Sequence, residues 1–189
     1  MQKTLFGAAL ALAAVVTAQA APVAYTIDSS HTYPSFEAPH MGISLWRGKF
    51  NQTSGKVTLD REARTGTVEI QIDAASLDFG HEKMNEHARE ADFFNVAQFP
   101  QITYRGPIQF RKGEPSAVAG ELTLLGVTRP VTLKINSFKC ITHPFLKKEV
   151  CGADAQAEFN RADFGMSKYA DGEGGKVRLA IQVEALRND

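Results

Sequence analysis

Apolar and polar residues alternate along most of this chain with a period of two. The last segment shows it most clearly: Val177, Leu179, Ile181, Val183 and Ala185 alternate with Lys176, Arg178, Ala180, Gln182 and Glu184. Successive side chains of a strand point to opposite faces, so the pattern predicts a strand with one face on a core and the other in water. The rhythm recurs at Val57/Leu59, Val68/Ile70/Ile72, Ile102/Tyr104, Ile108/Phe110, Leu122/Leu124, Val131/Leu133/Ile135 and Ala155/Ala157/Phe159. Turn formers separate these runs at Ser54-Gly55, Arg64-Thr65-Gly66 and Lys112-Gly113-Glu114-Pro115. With strands at Ala24 to Asp28 and through Phe36, the count reaches about eight or nine short strands at hairpin spacing, the mark of an all-β antiparallel sandwich or barrel. Gly172 to Gly175 precedes the last strand and reads as a hairpin turn, since a phosphate-cradling loop would open a helix. One stretch breaks the rhythm. Residues Gly80 to Phe94 are rich in Glu, Lys, His and Ala and predict a single helix that flanks or caps the barrel.

The first residues belong to neither pattern. Lys3, the apolar run Leu5 to Val16 and the small-residue sequence Ala18-Gln19-Ala20 form a secretory signal, with cleavage expected after Ala20. That run is shorter than the roughly 20 apolar residues a membrane-spanning helix needs, and no later segment is longer. The expectation is a periplasmic protein whose residues 21–189 form one domain. Removing Lys3 from 21 basic and 21 acidic residues leaves the processed chain one negative charge from neutrality. So even a balance argues against nucleic acid or an anionic membrane surface as the main partner. Export also bears on Cys140 and Cys151, the only two cysteines. Paired thiols oxidise outside the cytoplasm, so they are expected to form a disulfide, worth roughly 3 kcal/mol at best for so short a loop.

Catalytic and metal chemistry find little support. A zinc site needs three or four converging ligands. His81 and His87 are not at a helical same-face spacing, while His31 and His40 could face each other on adjacent strands but lack an evident third ligand. There is no Gly-x-Ser-x-Gly turn and no free thiol beside a histidine. The acidic residues fall on the polar phase of strands or in turns. We therefore expect no metal, no cofactor and no enzyme.

An eight-stranded barrel is just wide enough to be filled by its own side chains or to hold one small ligand. Inward-phased Ala155, Ala157 and Ala185 are smaller than a packed core tends to need, which points to a cavity.

Four segments together resemble the YceI-like, or polyisoprenoid-binding, family of periplasmic lipocalin-like proteins. They are Tyr25-x-Ile27-Asp28-x-x-His31 with Phe36, His40 and Gly48-x-Phe50; Ile72-Asp73-Ala74-Ala75-Ser76-Leu77 with Glu86-His87, Asp92-Phe93-Phe94 and Phe99-Pro100-x-Ile102-x-Tyr104; Gly120-x-Leu122-Thr123-Leu124-x-Gly126-Val127-Thr128-x-Pro130-Val131; and Phe159-Asn160-Arg161-x-Asp163-Phe164-Gly165-Met166. In order and spacing they run from about Tyr25 to Ala185. Two features depart from the family pattern: Asn85 and Ala88, where an Asp and a Leu are frequent, and the segment between the cysteines.

The resemblance implies an extended lipocalin-like barrel whose bore takes an isoprenoid, quinone-like or other long-chain amphiphilic lipid, with a helix over one side and frequent homodimerisation. The expected ligand-contacting positions are the aromatic residues Phe36, Trp46, Phe50, Phe94, Tyr104, Phe159 and Phe164, and the aliphatic residues Ile70, Ile72, Ile102, Leu122, Leu124, Leu133, Leu179, Ile181 and Val183. Arg161 joins them because guanidinium suits phosphate or phenolic oxygen. Its competing role is to organise the turn it sits in. The rival readings of the chain are an enzyme acting on a barrel-bound lipid through His31, His40 or Arg161, and a fully packed barrel that holds no ligand.

Overall fold

The structure is a computed structural model that describes residues 21–188; the secretory signal expected at residues 1–20 lies outside them. The alternating segments form β1 (Val23–Ile27), β2 (Tyr33–His40), β3 (Ser44–Phe50), β4 (Thr53–Asp60), β5 (Thr65–Asp73), β6 (Leu77–Asp78), β7 (Gln101–Arg111), β8 (Glu114–Leu124), β9 (Val127–Thr142), β10 (Glu149–Asn160) and β11 (Lys176–Arg187), with one helix, α1 (Glu82–Arg89). All lie in one antiparallel sheet. Pairing runs β1-β4-β5-β7-β8-β9-β10-β11 and returns from β11 to β1, closing a barrel of eight strands. The strand β11 carries β2 along residues 178–182 and β1 along 185–187. Thus β1 and β2 are two halves of one interrupted strand, and β4 and β3 repeat the arrangement beside them.

This interruption makes the two ends of the barrel unlike. At one end the ladder is continuous. At the other, β2, β3 and β6 run on as an extension that ends at β6, and no ladder joins β6 to β7. The helix stands against β6, where Arg89 donates from Nε to the Ala75 carbonyl (3.0 Å) and from Nη2 to the Leu77 carbonyl (3.1 Å). Buried Asn85 completes the junction, accepting from the Phe79 amide at 2.7 Å and donating to Asp78 at 3.2 Å.

The helix is shorter than the sequence pattern suggests. Glu90 leaves helical geometry, and the Phe93 and Phe94 amides bond back to the Glu90 and Ala88 carbonyls. A continuing helix would turn these neighbouring rings about 100° apart, whereas both face the barrel interior. The expected hairpin turn at Gly172 to Gly175 is also corrected: it is one 3-10 turn within a longer connection, residues 161–175, between β10 and β11.

The disulfide Cys140–Cys151 forms between residues directly opposite each other on β9 and β10. Close approaches at two glycines shape the interior. A Cβ on Gly120 would lie 2.3 Å from Cζ of Tyr104, so only glycine lets that ring cross the wall and place its hydroxyl 3.0 Å and 2.8 Å from the Val118 and Val131 carbonyls. Gly48 makes the same room for Phe36 and Phe79, whose ring atoms would lie 2.6 Å and 2.9 Å from its Cβ.

Candidate ligand-binding cavity

The inward faces of the strands enclose a cavity of about 1110 Å³. Several inward residues, among them Ile70, Leu133, Phe159, Leu179, Ile181 and Val183, are only partly buried, although their strand phase points them at the barrel axis. They face open space instead of one another, which is the packing consequence of a hollow barrel. The rival reading of a fully packed interior does not hold. An apolar cavity too poor in polar partners to order water stays dry and is suited to apolar guests.

At the continuous end, Tyr25, Leu59, Cys151 and Ala185 form a tightly buried floor. Tyr25 donates to Oε1 of Glu149 at 2.5 Å, and Arg61 donates to Oε2 at 2.9 Å. Burial, followed by the bond to Glu149, pushes the Tyr25 hydroxyl up to about 12. That same bond comes first in holding the Glu149 carboxyl below its ordinary value. Midway up the bore, burial likewise pushes Tyr104 up to about 12.

The interrupted end is the mouth. Its rim is drawn from the β2–β3 hairpin (His40, Met41, Gly42), the helix (Met84, His87) and the 161–175 connection (Tyr169, Asp171, Glu173). Met41 is 81% exposed while lining the cavity, so apolar surface continues from bore to solvent. Below it lies an aromatic collar in which Phe36 meets Phe50, Phe79 and Phe94 at ring distances of 5.8, 5.6 and 6.0 Å. Trp46 packs edge-on against Phe79 and tilts over His40 at 4.6 Å. Offset and edge contacts of this kind are the favoured geometries for aromatic pairs.

Sixteen of the seventeen positions expected to face a ligand lie on this wall: all but Phe164. Phe164 is buried behind it, packed edge-on against Phe159 at 5.1 Å, because it sits in the 3-10 turn Arg161–Phe164 and not on a strand. Of the inward alanines, Ala155 and Ala185 line the cavity and Ala157 packs against the core beside it. Ala88, in place of a frequent leucine, lines it too.

Arg161 reaches the wall but is chiefly a turn organiser. It is 8% exposed and donates to the carbonyls of Met166 (Nη1, 3.1 Å), Lys168 (Nη2, 2.7 Å) and Gly174 (Nε, 3.4 Å), tying the 161–175 connection into the mouth. Burial alone lowers its pKa.

The histidines do not assemble. His31 donates from Nδ1 to the Asp28 carboxylate (2.8 Å) in the turn after β1, while His40 packs tilted over Trp46 at the far end of β2. His31 does meet Asp28 and Glu184 at the surface, their donor atoms within 4.8 Å, but Asp28 is already engaged by Ser30 and His31.

The sequence missed one residue with chemical content. Thr53, 3% exposed at the start of β4, contributes to the cavity wall, and its hydroxyl is buried within that wall with no hydrogen-bond partner. A threonine on a strand carries no signal of that kind; only the bend between β3 and β4 buries it.

Comparison with known proteins places this arrangement. A YceI-like domain model matches residues 25–185. Protein YceI of Salmonella arizonae is 32% identical over 190 residues, 99% of each chain, and its counterpart in Salmonella dublin matches to the same extent. Among solved structures, Burkholderia cenocepacia BcnA superposes with a TM-score of 0.66 at 20% identity, covering 84% of this chain and 98% of that one. A polyisoprenoid binding domain from Saccharophagus degradans, implicated in plant cell wall breakdown, superposes with a TM-score of 0.60 at 15% identity, covering 88% and 99%. The closed barrel, its broken strands and the match over nearly the whole described chain lead to one conclusion: this protein belongs to the YceI-like family.

Proposed function

We propose that this protein is a non-catalytic periplasmic carrier or store of an amphiphile whose apolar chain, polyisoprenoid or quinone-like, lies in the bore with its polar group toward the mouth. The observation that carries the reading is the continuity of one apolar cavity from the Tyr25–Leu59 floor to the rim at Met41. A prenyl chain that buries about 500 Å² at roughly 25 cal/mol per Å² gains on the order of 12 kcal/mol before association and ordering costs.

The match to a YceI-like domain and the predominantly apolar wall support carriage of a ligand.

Organic extraction of the purified protein followed by mass spectrometry tests this directly. We expect about one long-chain amphiphile per protein. A chain that yields no lipid, and that also leaves Trp46, the sole tryptophan, unaltered when titrated with farnesol or a short quinone, is not a carrier.

A further inference from the structure

We infer that the floor end of the barrel, opposite the mouth, is a docking surface for an anionic lipid bilayer, with the β9–β10 loop as the element that enters it. The loop spans residues 143–148 and carries its apolar side chains outward: Phe145 is 87% exposed, with Leu146 and Ile141 also exposed beside it. Adjacent exposed apolar residues on one projecting loop need an explanation that a single exposed leucine does not. Exposed Lys139, Lys147 and Lys148 flank them, and the disulfide Cys140–Cys151 staples the base.

The loop is already shaped for this role. His143 Nδ1 accepts from the amides of Phe145 (3.3 Å) and Leu146 (3.1 Å), while the His143 amide donates to the Lys148 carbonyl (2.8 Å) and the Lys147 amide to the His143 carbonyl (3.0 Å). A tip fixed in this way loses little freedom when it enters an interface.

Charge selects the kind of surface. Neighbouring turns at the same end add Arg61 and Arg64, then Arg111 and Lys112, against the exposed acids Glu62 and Glu114. Glu149, at the base of the loop, is engaged by Tyr25 and Arg61. The mouth is the reverse: the helix and the segment after it carry Glu82, Glu86, Glu90 and Asp92 against Lys83 and Arg89, and the 161–175 connection carries Asp163, Asp171 and Glu173 against Arg161 and Lys168, so acids outnumber bases on both. The near-neutral total therefore hides two ends of opposite sign. An anionic bilayer attracts the basic end and repels the acidic one, and aromatic and aliphatic side chains at a basic tip suit the headgroup boundary. Docked this way, the barrel turns its mouth away from the bilayer and toward a soluble partner. This inference does not depend on what the cavity holds, because vesicle binding and lipid extraction are read separately.

Co-sedimentation of the purified protein with phosphatidylcholine vesicles, with and without one third phosphatidylglycerol, tests it. We expect binding to the anionic vesicles only, falling as salt rises. K139Q/K147Q should weaken it roughly thirtyfold, and F145S/L146S more than about tenfold, each with the thermal midpoint of the parent. I43S/L45S, on exposed rim positions outside the cavity wall, should leave it unchanged. Three results overturn the inference: no binding to anionic vesicles, loss of binding in I43S/L45S but not in F145S/L146S, or ultracentrifugation showing a dimer that F145S/L146S dissolves, which would make the loop an interface between copies.

Discussion

The floor and the mouth close off the same barrel by different physical means. At the floor the backbone ladder is unbroken from β4 through β1 to β11, and apolar side chains seal it: Tyr25 and Leu59 are almost fully buried. At the mouth the ladder stops between β6 and β7, and polar side chains replace it by bonding to backbone. Arg89 and Asn85 hold the helix, and Arg161 holds the connection to β11. A ladder can be tight because every N–H and C=O finds its partner in the next strand. If the mouth admits a guest as proposed, its segments, held by a few side-chain hydrogen bonds, can open locally without unravelling the sheet.

Four substitutions would break or sharpen this contrast. Leu59→Ala removes a floor side chain from a site with little room to collapse and should cost about 2–5 kcal/mol in urea denaturation, while leaving the affinity for a farnesol-type probe within a factor of a few. Arg161→Gln strands the Met166 and Lys168 carbonyls and should cost about 1–3 kcal/mol. Hydrogen exchange should then speed up in residues 161–175 and stay unchanged in the β10–β11 amides near Val150 and Leu186. Equal acceleration at both ends would mean that the mouth and floor are one cooperative unit.

Tyr25→Phe reads the floor through pH, at a cost of about 1–2 kcal/mol near neutrality. The folded Tyr25 hydroxyl titrates near 12 against an ordinary 10, so its contribution is complete below pH 10 and is lost as pH climbs toward 12. Tyr104 behaves in the same way and remains in the variant. The depressed Glu149 carboxyl acts in the opposite direction: it stabilises above its ordinary value of 4.5 and loses that contribution as pH falls through the lower folded value. Tyr25→Phe should therefore flatten part of the alkaline decline and part of the acid decline together; a change on one side only would dissolve the Tyr25–Glu149 pairing. Met41→Ser should have the smallest effect on stability, within about 0.5 kcal/mol for an exposed rim position. It should still speed release of the probe, seen as faster recovery of Trp46 fluorescence.

How far the sequence could be read depended on whether a residue's role followed from strand phase. Leu179, Ile181 and Val183 were legible as wall residues because period two assigns them a face without knowledge of their neighbours. The cysteines were legible because a chain with two thiols and an expected export signal is expected to pair them, and they are paired. Phe164 was misplaced because aromatic character alone does not distinguish a strand from the 3-10 turn that carries it behind Phe159. The helix was overextended because composition favoured it through Phe94, while the pull of two adjacent rings into the bore ended it at Arg89.

By itself, then, the sequence determined an antiparallel sandwich or barrel with one helix, because alternation and turn residues are local properties that each segment expresses on its own, and the resemblance of its motifs added the barrel and the family. Tertiary structure decided three other matters. The barrel is hollow, because emptiness depends on how far opposite walls stand apart. Thr53 is orphaned, because burial at the β3–β4 bend arises only when the wall closes over it. The nearly neutral charge is split between a basic floor and an acidic mouth, because residues distant in sequence, such as Arg61 and Lys147, come to one end only when the strands between them run the length of the barrel and return.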